Sequence, residues 1–185
     1  MSGQIPDTVT WARRRYELVG IDGGPLFHPG QHGIRIATTH AACARGYVCH
    51  YGLRRTGLVL NRLQLHVPAG RGDPPLVAGA PPRGVDRAGL HEYVGLGHRV
   101  PFVGRLLLGR DFDATQYRHM GHPDWQAYRD VREATVTAAG VVVIEQTRAV
   151  VPPPAGVEDG DAAGTAWTDR GFRRHPGPAP GPGRE

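Results

Sequence analysis

The chain has no lysine and almost no serine: all 22 basic side chains among its 185 residues are arginine, and Ser2 is the only serine. Without lysine there is no P-loop cation to reach a phosphate, and no GxGxxG follows a strand and opens a helix. Nucleotide-dependent enzymes of those two designs are therefore excluded. A single serine at the N-terminus excludes a Ser-His-Asp hydrolase. Cys43 and Cys49 are the only cysteines, too few for a disulfide framework. No basic-then-apolar leader precedes residue 20, and the longest apolar stretch, Ala138 to Ile144, is interrupted by Gly140. That stretch is far short of the ~20 residues that span a bilayer. A soluble, cytoplasmic protein with no membrane contact is expected.

Positive charge is not concentrated either. The formal net charge is +5, and from Pro152 onward four arginines meet five acids, so that stretch carries −1 and the rest +6. Arg13-Arg14-Arg15 is the densest basic cluster, but in an extended segment its side chains alternate between faces, which makes a poor stripe along a phosphate backbone. Nucleic acid is not expected as a partner, and weak nucleic-acid binding ranks third among the functional readings.

Glycine and proline, by contrast, are abundant, at 27 and 17 residues, so much of the chain must be turn and loop. One β-rich domain is expected over 1–151, with a flexible Pro/Gly insertion at about 68–88. A disordered Pro/Gly/Arg tail is expected over 152–185, where burial cannot offset the ordering entropy. Within that tail Trp167, Phe172 and Arg170, Arg173 and Arg174 form a candidate docking motif.

The fold class expected is mainly β: an antiparallel curled sheet or partly open barrel built from hairpins, with one or two short helices. Thr8 to Val19 reads as an edge strand or a short strand pair, and Ile21 to Thr39 as a loop broken by Gly23-Gly24-Pro25 and His28-Pro29-Gly30. Arg45 to Arg54 places Tyr47, Cys49, Tyr51 and Leu53 on one face and Val48 with His50 on the other, the period of a strand. After a turn ending at Gly57, Leu58 to Val67 completes a hairpin whose phase slips at Asn61-Arg62, which predicts a β-bulge. Val100 to Leu108 is a further strand, and Asp111 to Met120 is a short helix. Asp130 to Thr137 and Val141 to Val151 form a second hairpin, with Val141 to Ile144 apolar on both faces as in a central strand.

The chemistry-bearing residues gather in Gly109 to Val131. Arg110, Tyr117, His119, His122, Trp125 and Tyr128 are the candidate ligand-binding residues of an end loop, weighed against a plain structural cover for the sheet in which Trp125 and Tyr128 anchor the core. His119 and His122 with Asp124 supply the alternative, a site for Zn²⁺ or another divalent metal in a hydrolase-like enzyme. His28 and His32 are separated by Pro29-Gly30, which spoils a helical ligand pair. Cys49 shares its face with apolar neighbours, so its thiol reads as a small core residue rather than a nucleophile.

Three segments resemble a group of uncharacterised bacterial proteins. They are the RGYV-x-x-Y-x-L strand with its L-x-L-x-x-L partner at Arg45 to Leu63, F-x-G-x-L-L-x-G-R-D-F at Phe102 to Phe112, and Y-x-H-M-G at Tyr117 to Gly121 followed by Trp125 and Glu133. The resemblance spans roughly Trp11 to Glu145 and implies a single β-rich domain and no particular reaction. The leading expectation is a non-enzymatic binding protein, with no cofactor, that holds a protein partner or a small molecule. The metal-assisted enzyme is its rival.

Overall fold

The computed structural model describes residues 4–38, 41–68, 76–85, 89–117, 123–140, 142–147 and 173–174. Its strands are β1 (Thr8–Trp11), β2 (Arg14–Gly24), β3 (Tyr47–Arg54), β4 (Gly57–His66), β5 (Gly84–Val85), β6 (Leu90–Val100), β7 (Val103–Phe112), β8 (Tyr128–Val136), β9 (Val142–Thr147) and β10 (Arg173–Arg174). They form one sheet in the order β5-β6-β4-β3-β1-β2-β7-β8-β9, with β10 added to β2. Every pairing is antiparallel except β1 with β3. Among the described residues the sheet does not close, since β5 and β9 end the order without pairing to each other.

Most of the sheet's buried apolar residues face one side, which is the inside of its curl. Leu58, Leu60, Leu63 and Leu65 of β4 share a core with Tyr16 and Leu18 of β2, Leu106 and Leu108 of β7, and Ala134 and Val136 of β8. The curl brings the β3–β4 turn against the β8–β9 turn: a Cβ on Gly140 would stand 2.9 Å from the Thr56 carbonyl oxygen. Residues 25–38 cross from the β2 end to the far end of β4. Phe27 and Ile34 are buried on the way, and the Ala37 N–H donates to the His66 carbonyl. A smaller cluster of Leu107, Ala127, Tyr128 and Val131 covers the opposite face of β7 and β8.

Both expected hairpins are present, and the bulge falls at Asn61, between the pairs His50↔Arg62 and Tyr51↔Leu60. The side chain of Asn61 occupies the space that Gly52 leaves open. Other expectations are corrected. The Thr8 to Val19 pair is not at an edge, because β3 and β7 flank it on either side. The strand β2 runs on through Asp22 to Gly24, paired with β7, where a loop was expected. Residues 111–117 form no α-helix, and the rest of the helix expected over 111–120 lies outside the described residues. The ladder holds to Phe112, which packs on Tyr128 at 5.4 Å. Only a three-residue 3₁₀ turn, Ala114–Gln116, follows it, and Asp113 caps that turn by accepting from the Thr115 N–H at 3.0 Å. The strand β9 is an edge strand rather than a central one, with Val143 49% exposed while Val142 and Ile144 pack inward.

The strand β6 was not foreseen. A departure from its register explains why: Leu60↔His98 gives way to Arg62↔Val94 across a bulge holding Gly95 and Gly97. In the Pro/Gly insertion, Val77 is buried in the core and β5 pairs with β6, so burial draws part of that segment onto the sheet. The expected tail lies outside the described residues except Arg173–Arg174, which pair with Ile21 and Gly20.

Candidate functional site

At one end of the curl, residues from β6, β7, the β8–β9 turn and the crossing segment enclose a cleft of about 650 Å³. Its walls are largely apolar, with Phe27, Val100, Phe102 and Val103 among them. The sequence places these groups through two devices. The bulge in β6 turns His98 to the inner face beside Leu60. The 3₁₀ turn Pro29–His32, whose first N–H groups include Gly30 donating to His28 Nδ1 at 3.1 Å, folds His32 back over Phe27. The His32 and Phe27 rings stack at 4.7 Å, and His98 meets both edge-on, at 5.6 Å from His32 and 5.8 Å from Phe27. Arg99 leaves the outer face of β6, but its Nη2 bends to the rim, 3.2 Å from where a Cβ on Gly140 would lie. Among the described residues no Asp or Glu lines the cleft.

Of the residues anticipated from sequence, the described ones, Arg110, Tyr117, Asp124, Trp125 and Tyr128, do not line this cleft. Arg110 is at the other end of the inner face, where it shares Asp130 with Arg132: Arg110 Nη2 is 3.3 Å from Oδ2, and Arg132 Nε is 3.1 Å from Oδ1. The Tyr16 hydroxyl donates to the same carboxylate at 3.4 Å, and Arg132 lies over the Trp11 ring at 5.2 Å. Tyr128 is on the opposite face. Its ring lies flat on Gly109, where a Cβ would come within 2.6 Å of it, and its hydroxyl donates to Glu17. Burial, reinforced by Glu17, pushes its pKa far above the ordinary phenol value. Trp125 packs beside Tyr128, Tyr117 is 44% exposed, and Asp124 precedes the 3₁₀ turn Trp125–Ala127 without capping it through its side chain. His119 and His122 lie outside the described residues. Among the described residues no group of three His, Cys, Asp or Glu side chains is arranged to hold a metal ion.

Two polar systems, one buried and one partly buried, have structural work. Asp7 and Arg45 form a two-pronged ion pair, at 2.8 and 3.1 Å, with side chains 2% and 8% exposed. Burial alone would lower the Arg45 pKa, and the Asp7 carboxylate more than reverses it, so the guanidinium stays charged. Nearby, burial raises the pKa of Cys43 and of Cys49, so neither sulfur is the thiolate that nucleophilic attack needs.

The second system is a relay across four strands on the outer face. Glu92 accepts from Gln64 Nε2 at 3.2 Å and from Arg62 Nε at 2.8 Å. The Gln64 oxygen must then accept from His50 Nε2 at 3.3 Å, which leaves His50 Nδ1 to accept from the Thr8 hydroxyl at 2.8 Å. His50 is thus held as the neutral Nε2–H tautomer. Burial lowers its pKa, and Arg62 and Arg15 add to that against the bond to Gln64. A histidine with a lowered folded pKa binds a proton more readily when unfolded. Its contribution is complete above the unfolded pKa of ~6.5 and is lost as pH falls through that value toward the folded one. Unfolding free energy by urea titration is expected to fall more between pH 7.5 and pH 5.5 in the wild type than in His50→Gln. Equal losses would show that the neutral form is not favoured by folding.

No family model matches the chain, and no curated protein or solved structure is similar to it. The cleft residues His32, His98, Arg99 and Phe102 were not singled out as a site from sequence. The strand that carries two of them is split by the glycines into two short runs, which hides its alternation.

Proposed function

We propose that this chain is a non-enzymatic binding protein that holds a small apolar molecule in the cleft between β6, β7 and the β8–β9 turn. The observation that supports the reading is the cleft itself. Its volume of about 650 Å³ falls within the ~300–1,000 Å³ of small-molecule sites, and apolar walls with a few polar groups at the rim are their usual chemistry. A rigid sheet floor and a segment laid over it keep the cavity formed before the ligand arrives, which limits the ordering cost of binding.

The neutral fluorophore N-phenyl-1-naphthylamine tests this. Its emission is expected to rise saturably with one site per chain, and the rise is expected to vanish in Val103→Trp. Val103 is 46% exposed on the cleft wall, so the larger ring fills the cleft without entering the core, and the melting temperature should stay unchanged. Unsaturable emission, or saturable emission untouched by Val103→Trp, would overturn the reading.

A further inference from the structure

Resting on that reading, we infer that the occupant of the cleft is an apolar, ring-bearing monocarboxylic acid whose carboxylate meets the Arg99 guanidinium at the rim. Among the described residues the cleft carries one permanent charge, Arg99, with the His32 and His98 imidazoles as the other titratable groups. No described acidic side chain lines it to neutralise Arg99. Five other described arginines are held in ion pairs. Arg45 is paired with Asp7, Arg62 with Glu92, Arg105 with Asp22 and Glu133, and Arg110 and Arg132 with Asp130. Arg99 forms no ion pair with any described residue, although its guanidinium is drawn in against the β8–β9 turn.

Charge complementarity then selects the ligand's polar end. A planar guanidinium presents two parallel N–H groups that fit the two oxygens of a carboxylate. A dianionic phosphate would find one permanent cation where it needs more, and a cationic ligand would be repelled by Arg99 despite the aromatic walls. The walls select the other end. Phe27, stacked on His32, and Phe102 are among the lining side chains and make the wall aromatic, and a flat hydrocarbon ring system packs favourably beside such rings. The apolar body fills the interior and the acid group stays at the wet rim, so no charge is buried without a partner.

Calorimetric titration of naphthalene-2-carboxylate and its neutral isostere 2-naphthamide into wild type and Arg99→Gln separates the possibilities. The carboxylate is expected to bind wild type about tenfold more tightly than the amide. Arg99→Gln should abolish that preference while leaving amide binding unchanged. Equal affinities in the wild type would overturn the acid assignment and leave the cleft as a neutral binding site. A preference that survives in Arg99→Gln would overturn the role of Arg99. If neither compound binds and the neutral fluorophore also fails, the reading of the cleft as a ligand site falls with it.

Discussion

Asp7→Ala is expected to cost about 3–5 kcal/mol of unfolding free energy, the range found when one partner of a buried ion pair is removed. The reason lies in what Asp7 joins. Its backbone carbonyl accepts from the Leu18 N–H of β2 at 2.9 Å, and its Oδ1 accepts from the Cys49 N–H of β3 at 2.8 Å and from Arg45. One residue ahead of β1 thereby ties three strands together, including the parallel β1–β3 pair. Alanine leaves a buried guanidinium without its carboxylate and a buried N–H without an acceptor, both heavily penalised. Urea denaturation should show a lower midpoint at unchanged slope. The double variant Asp7→Leu with Arg45→Met should recover much of the loss, since a buried pair replaced by apolar side chains is often neutral or better. A loss below about 1 kcal/mol in Asp7→Ala, the scale of an exposed pair, would show the pair to be solvated.

Gly104→Ala is expected to be nearly as damaging, at about 2–5 kcal/mol, by a different route. Gly104 has φ +142°, where an L side chain is strained, and its Cβ would run into the Asp22 carbonyl of β2 and stand 2.9 Å from the Gly23 Cα. Strain of ~1–3 kcal/mol and overpacking of ~1–3 kcal/mol therefore add. The clash cannot be relieved by a side chain swinging away, because the opposing atoms are backbone in a paired strand. Gly57→Ala is the internal control: its φ is +115°, but nothing lies within 4 Å of the added Cβ, so it should cost the strain alone. Thermal or urea unfolding of the two variants reads the difference. Equal costs would mean that β2 and β7 are less closely apposed than described.

The limits of sequence reading follow from where information is local. The β3–β4 hairpin was legible because alternation of Tyr47, Cys49, Tyr51 and Leu53 is a property of consecutive residues, and the bulge at Asn61 because a phase slip is equally local. The helix expected over 111–120 does not start at Asp111 because the pairing of Phe112 with Tyr128, which keeps residues 111–112 in the sheet, is a contact with another strand. Arg110 and Tyr128 looked like one site because they are close in the chain, yet they stand on opposite faces of the same sheet. The group of His119, His122 and Asp124 lies outside the described residues but for Asp124.

The sequence by itself determined the class of structure. Alternating apolar residues specify strands, and glycine and proline specify breaks, all without reference to distant contacts. Only the tertiary structure decided where function is placed. The cleft gathers Phe27, His32, His98, Arg99 and Phe102 from two segments more than sixty residues apart, and it exists because the sheet curls far enough to set the β8–β9 turn against the β3–β4 turn. Curl is a sum of pairings, bulges and close glycine contacts across the whole sheet, and no short stretch of sequence records a sum.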